Sequence, residues 1–166
     1  MNPYHIAYIS VGSNLGQKEE NCRSGIAALI HSSHARLVGQ SPFYQTEPVD
    51  YLDQEWFTNC VVKIETDLDP LNLLSTLKSI EQAAGRVKDT IRFGPRILDM
   101  DIILFDDLVM RGPSLTVPHP RMHKRRFVLK PMCDIDPDVL HPVLKRTMGS
   151  LLRDLDEKGQ RIVEYK

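Results

Sequence analysis

The run ILDMDIILF at residues 97–105 constrains the fold most, because it is the clearest strand in the chain and carries two aspartates in an otherwise apolar stretch. Period-two geometry sends Leu98, Met100, Ile102 and Leu104 to one face and Ile97, Asp99, Asp101 and Ile103 to the other. The two carboxylates therefore share a sheet face at neighbouring positions. In a half-buried strand they repel and lose hydration, at a cost on the order of several kcal/mol unless protons or cations compensate. A hard divalent cation is the natural compensation, since Mg2+ takes oxygen ligands and shares them with phosphates. The competing reading is an edge strand whose polar face is simply solvated.

The flanks of this strand are basic. Residues 86–126 hold Arg86, Lys88, Arg92, Arg96, Arg111, Arg121, Lys124, Arg125 and Arg126 against five aspartates, in a chain whose formal charge is −1. A near-zero total argues against a duplex-binding surface. The local excess suits a compact polyanion: a metal neutralises part of its charge and Arg forks take the non-bridging oxygens. A solvated basic loop is the alternative. His119 and His123 are spaced as in zinc helices, but HPRMH has Pro120 and lacks a Glu after the first His, so a phosphate-facing or core His119 is the better reading.

The remaining elements follow from pattern. Residues 5–11 are a strand ending at Gly12, and 12–16 a turn. Residues 17–32 are a helix with Cys22, Ile26, Leu29 and Ile30 at helical spacing. Residues 36–45 are a second strand, 46–55 a polar loop and 56–66 a third strand, with Phe57, Asn59 and Val61 facing opposite to Thr58, Cys60, Val62 and Ile64. Asp69-Pro70 starts a helix whose stripe is Leu73, Leu77, Ile80 and Ala84, stopped by Gly85. Residues 108–110 form a short return strand. Six of the 11 prolines fall within 113–142, so that stretch is loops and short helices, with Pro131 limiting a helix over 122–133. Residues 148–156 are a last helix and 161–165 a closing strand. Strand–helix–strand–strand–helix–strand predicts an α+β, ferredoxin-like domain: a mostly antiparallel sheet, helices packed mainly on one face, and a C-terminal extension.

With 166 residues, 42% hydrophobic and 26% charged, the chain reads as a single domain over 1–166. No apolar run approaches the roughly 18 residues that span a bilayer, and the start lacks the basic and apolar regions of a secretory signal. Cys22, Cys60 and Cys133 are odd in number and form no CxxC, as expected of reduced thiols in a cytoplasmic protein.

Residues 92–103 (RFGPRILDMDII) resemble the signature of 6-hydroxymethyl-7,8-dihydropterin pyrophosphokinases. SVGSNL at 10–15, SPFYQTEP at 41–48, Phe57-Thr58-Asn59, IEQAAGRV at 80–87 and LTVPHPRMHKRRF at 115–127 resemble further segments of that family, in order along nearly the whole chain. The resemblance implies transfer of diphosphate from ATP, as co-substrate, to a pterin hydroxymethyl group, with release of AMP. It implies two Mg2+ ions on Asp99 and Asp101. Catalytic residues would be Arg86, Arg96 and Asp101, and ATP contacts Glu81, Arg86, Lys88, Arg96, Ile102, His119 and Arg125. The pterin site would be Thr46, Val49, Phe57, Asn59 and Phe127. The residues agree physically, since Asn59 offers an amide edge and two aromatics can sandwich a flat ring. The partners implied are small molecules, with no nucleic acid, no membrane and a monomeric chain. Phe93, Lys88, Pro120, Glu47 and Met100 depart from the family's common residues. Two rivals stand beside this reading: an RNA-binding module using the basic loops, and a Mg2+-dependent nucleotidyltransferase releasing diphosphate instead of AMP.

Overall fold

The computed structural model describes residues 3–85, 95–156 and 158–165. Arg86, Lys88, Arg92 and Phe93 lie outside the described residues. The order is β1 (His5–Ser13), α1 (Lys18–His31), β2 (Ala35–Gln40), β3 (Tyr44–Thr46), β4 (Phe57–Thr66), α2 (Pro70–Ala83) and β5 (Asp99–Phe105). There follow β6 (Met110–Arg111), β7 (Thr116–Val117), a 3-10 turn at Met122–Lys124, α3 (Arg126–Ile135), α4 (Met148–Asp154) and β8 (Ile162–Glu164). The fold is a mixed α/β one on an antiparallel sheet. β1 lies between β4 and β5, and β2 and β3 share the far edge of β4, with β8 beyond β3.

Ala7, Ile9 and Val11 of β1, Cys60, Val62 and Ile64 of β4, and Met100 and Ile102 of β5 face α1 and α2. Asp69 caps α2 by accepting from the backbone N–H of Asn72 (2.8 Å), and Pro70 occupies the first turn, where its missing N–H costs nothing. Gly85, at φ +103, ends the helical turn in a conformation that disfavours other residues.

Helices packed mainly on one face are not what forms. Tyr8, Val61, Ile103 and Leu104 make a second apolar patch on the opposite face, and Val128, Leu129 and Met132 of α3 with Met148 and Leu151 of α4 cover it. Leu104 belongs there because the β1–β5 register shifts between Tyr8 and Ile9. Tyr8 pairs Leu104, Ile9 pairs Ile102, and Ile103 is the extra residue. One inserted residue reverses every later side chain, so Leu104 joins Ile103 rather than Ile102, contrary to strict alternation.

The predicted strand over 36–45 divides at Ser41-Pro42-Phe43. Pro42 has no N–H to give a ladder, and Ser41 bridges the gap: its N–H donates to Val61 O (3.0 Å) and its hydroxyl accepts from Val61 N–H (2.9 Å). The return strand at 108–110 becomes a separate hairpin, β6 with β7. Pro131 sits inside α3 without ending it, held by the burial of Val128, Leu129 and Met132. Among the described residues no helix is long and apolar enough to cross a membrane.

Candidate active site

The face covered by α3 and α4 is apolar at one end only. Two residues further along each strand, Tyr8 gives way to Ser10 and Gly12, Val61 to Asn59 and Phe57, and Ile103 to Asp101 and Asp99. Registered pairs fix these as cross-sheet rows: Asp99 opposite Gly12 opposite Asn59, and Asp101 opposite Ser10. Strands lie about 4.8 Å apart, so Asp99 and Asn59 stand about 10 Å apart with Gly12 between them. That polar end is the floor of a cavity of about 220 Å3. The loop after β3 supplies Glu47, Val49 and Asp50, the approach to β5 supplies Arg96, and the start of α3 supplies Arg125 and Phe127 as the walls.

All five expected pterin residues, Thr46, Val49, Phe57, Asn59 and Phe127, line this one cavity with Arg96, Asp99, Asp101 and Arg125. Asn59 and Thr46 are buried, and the Asn59 amide donates to Thr46 Oγ1 (2.5 Å), leaving its carbonyl oxygen toward Gly12. A Cβ at residue 12 would lie 2.3 Å from that oxygen, so only glycine leaves the amide in place. Arg125 lies over the Phe127 ring at 5.4 Å. Burial pushes its guanidinium below the ordinary value, while Asp50, Asp101 and Asp99 support its charge.

Glu81, Ile102 and His119 do not line the cavity. Glu81 is buried in α2, and Ile102 belongs to the core beneath α1 and α2. His119 is closer: its N–H donates to Ile103 O (2.9 Å), and Nδ1 accepts from the N–H of Arg121 (3.1 Å). That leaves Nε2 carrying the proton of the neutral ring. Burial, helped by Arg125 and Arg121 and opposed by Asp99, lowers His119 to about 4.

Four positions escaped sequence reasoning. Ser10 and Gly12 stand in the family-like segment 10–15 but read only as strand and turn, with no site role; their signal was the small, polar residues replacing an apolar alternation. Asp50 binds Arg125 (3.3 Å) and Arg121 (3.7 Å) across 71–75 residues of chain, which no local pattern announces. Asn14, buried, exchanges two bonds with Arg96: its N–H donates to Arg96 O (3.0 Å) and its Oδ1 accepts from Arg96 N–H (2.8 Å). Its amide also donates to Gln54 Oε1 (2.8 Å) and Glu55 O (3.2 Å), tying the Arg96 segment to the loop before β4.

Four carboxylates in the cavity lining (Glu47, Asp50, Asp99, Asp101) face two guanidinium groups (Arg96, Arg125). Glu47 pairs with Arg161 and Asp50 with Arg121 and Arg125, and Asp99 and Asp101 add their charge to the field at Arg125. No three His, Cys, Asp or Glu among the described residues are grouped to hold a metal ion unaided. A cation there would take its other ligands from a bound substrate.

A model of the 7,8-dihydro-6-hydroxymethylpterin-pyrophosphokinase (HPPK) family matches residues 8–137. A Bacillus subtilis 2-amino-4-hydroxy-6-hydroxymethyldihydropteridine pyrophosphokinase is 42% identical over 162 residues, covering 98% of this chain and 92% of its own. The Pseudomonas aeruginosa protein of the same name is 42% identical over 135 residues, with 81% and 83% covered. The folic acid synthesis protein fol1 of Schizosaccharomyces pombe is 43% identical over 157 residues, 95% of this chain but 21% of that one, so the chain spans about a fifth of that longer relative. Among solved structures, wild-type Plasmodium falciparum HPPK-DHPS with pterin and p-hydroxybenzoate superposes with a TM-score of 0.72 at 18% identity, covering 92% of this chain and 42% of that one. That likeness speaks to the fold alone. With the family match running through the cavity-lining residues on β1, β3, β4, β5 and α3, the chain belongs to the 7,8-dihydro-6-hydroxymethylpterin-pyrophosphokinase family.

Proposed function

We propose that the chain transfers the diphosphate group of ATP to the hydroxymethyl group of 6-hydroxymethyl-7,8-dihydropterin, giving the pterin diphosphate and AMP, in folate biosynthesis. The observation that carries this reading is the single cavity in which Thr46, Val49, Phe57, Asn59 and Phe127 meet Arg96, Asp99, Asp101 and Arg125. A flat, hydrogen-bonding ring and a polyphosphate would thus be held side by side, at the spacing of two sheet strands.

Each residue has a role. Asn59, oriented by Thr46, reads the polar edge of the pterin, and Phe57 and Phe127 clasp its faces. Arg96 and Arg125, on the cavity wall, contact ATP together with Arg86 and Lys88, while Glu81, Ile102 and His119, expected there from the resemblance, stand behind the lining. Arg86 and Arg96 stabilise the phosphate charge that spreads during in-line attack at the β-phosphorus, and Asp101 receives the hydroxyl proton. Positioning and electrostatics do most of the work. The donor set fits Mg2+: Asp99 and Asp101 are hard oxygen donors on one face, too few to close a coordination sphere, in a lining where carboxylates outnumber guanidiniums. Two ions held by Asp99 and Asp101 would supply charge neutralisation of the triphosphate.

The strand order β5-β1-β4-β2 supports a ferredoxin-like core in a single domain over 1–166, with α3, α4 and β8 as its C-terminal extension. Buried, unpaired Cys22 and Cys60 support a cytoplasmic setting. We read the protein as a monomer acting on small molecules and not on nucleic acid. The test is AMP release from ATP and Mg2+ with and without the reduced pterin alcohol. Pterin-dependent AMP is the expected result; no AMP above the pterin-free control overturns the reading, and diphosphate in place of AMP would make the chain a nucleotidyltransferase.

A further inference from the structure

A second pocket, of about 330 Å3, adjoins the cavity. It shares Val49, Asp50 and Arg125 with it and adds Arg121, Lys124 and Lys158, so four cationic side chains face one carboxylate. Gln160 fixes its far wall. The Gln160 side chain accepts from Arg126 N–H (2.9 Å) and donates to Lys124 O (3.1 Å), and Arg126 Nη1 donates to Gln160 O (3.3 Å). These bonds hold the turn carrying Lys158 against the start of α3. On the near wall Asp50 accepts from Arg125 Nη2 (3.3 Å) and lies 3.7 Å from Arg121 Nη1. Asp50 adopts φ +65, a left-handed conformation that persists where surroundings over-determine it. An anionic group is therefore already seated between two guanidiniums, which is how Arg pairs receive a phosphate.

We propose that this pocket is a product subsite, taking the terminal phosphate of the pterin diphosphate, with Asp50 filling the anion position until product forms. The proposal rests on the function proposed above. The lining residues favour the pterin product over ATP. Val49, on the pterin wall, lines both pockets together with Asp50 and the phosphate-facing Arg125, whereas Arg96, Asp99 and Asp101, the rest of the polyphosphate site, line only the first. A phosphate in the second pocket is thus reached from the pterin side. Lys124 and Lys158 hold it electrostatically, and Asp50 sets how readily it is displaced.

The test titrates wild type, a Lys124→Ala/Lys158→Ala double variant and Asp50→Asn with three probes: the pterin diphosphate, the unphosphorylated pterin alcohol, and a non-hydrolysable ATP analogue with Mg2+. For the double variant, affinity for the pterin diphosphate should fall about tenfold while the other two stay within about twofold. Asp50→Asn should bind the pterin diphosphate several-fold more tightly. Unchanged product affinity in the double variant, or an equal loss for the ATP analogue, overturns the subsite. A melting temperature held at the wild-type value separates either outcome from misfolding. Normal pterin-dependent AMP release with product affinity indifferent to Lys124 and Lys158 defeats the subsite alone; absence of AMP release defeats the reading of function instead.

Discussion

Asn59 keeps its place in the cavity because residue 12 has no side chain. Gly12→Ala would put a methyl group 2.3 Å from Asn59 Oδ1, and the amide would have to turn away from both the cavity and Thr46. A buried polar group left unpaired costs about 1–3 kcal/mol, so the KM for the pterin should rise by roughly tenfold or more while the KM for ATP moves little. Steady-state kinetics against each substrate would check this, and equal changes in both would assign Gly12 to the general fold. His119 makes a different kind of statement. Burial holds its imidazole at about 4 in the folded chain, below the ordinary value of about 6.5, so between those pH values the unfolded chain binds a proton that the folded chain refuses. Stability should therefore be level above pH 6.5 and fall as the pH drops toward 4, by a few kcal/mol at most, at about 1.4 kcal/mol per unit. His123 and His141 are also lowered by burial and add in the same direction, so His119→Asn should flatten the curve of melting temperature against pH only in part. An acid branch identical in wild type and variant would place that loss at other groups.

The elements whose patterns are local were legible in the sequence. α2 has its Asp69 cap, its Pro70 and its Gly85 stop, and β4 is a β-rich run whose second half alternates buried Val62, Ile64 and Thr66 with Lys63 and Glu65. Elements governed by pairing were not. The bulge at Ile103 is decided by where β1 and β5 register, and nothing in IILF marks it. The break between β2 and β3 is half visible, since Pro42 signals it, but the repair through Ser41 and Val61 is a cross-strand event. The same division runs through the site. Asp99 and Asp101 follow from periodicity, and Thr46, Val49, Phe57, Asn59 and Phe127 from family resemblance, whereas Asn14 joins segments 40 and 82 residues away. Asn14 is thereby a positioning residue, holding the Arg96 approach to β5 against the loop before β4. Asn14→Ala should lower kcat by about tenfold through misplaced Arg96, with the Mg2+ dependence unchanged. Rescue of kcat by Asn14→Asp, which keeps the acceptor for Arg96 N–H, would attribute the loss to that bond. Failure of rescue together with a lowered melting temperature would attribute it to the fold.

At the scale of the whole molecule, both faces of the sheet had to be apolar for α3 and α4 to find a seat, and the second face runs out of apolar residues where the cavity begins. The patch of Tyr8, Val61, Ile103 and Leu104 was hidden because the alternation along 97–105 had allotted the Asp99 face to solvent or metal. The formal charge of −1 likewise conceals an opposition. Carboxylates and guanidiniums line one cavity. On the function proposed, the carboxylates of the floor would repel the polyanion that the basic walls attract, and a cation would offset that repulsion as ATP approached Asp99 and Asp101. This yields a prediction of opposite sign for two states of the ligand. Asp99→Asn/Asp101→Asn should bind metal-free ATP more tightly than wild type does, by about tenfold, because two negative charges leave the floor. The same variant should lose the enhancement that Mg2+ gives wild type and should nearly abolish pterin-dependent AMP release. Titration calorimetry with ATP in the presence of a chelator, and again with excess Mg2+, measures both. Tighter metal-free binding combined with lost Mg2+ enhancement assigns these carboxylates to the cation. Metal-free affinity that is unchanged or weaker in the variant would mean that Asp99 and Asp101 do not face the phosphates, and the charge argument for the floor would fail with them.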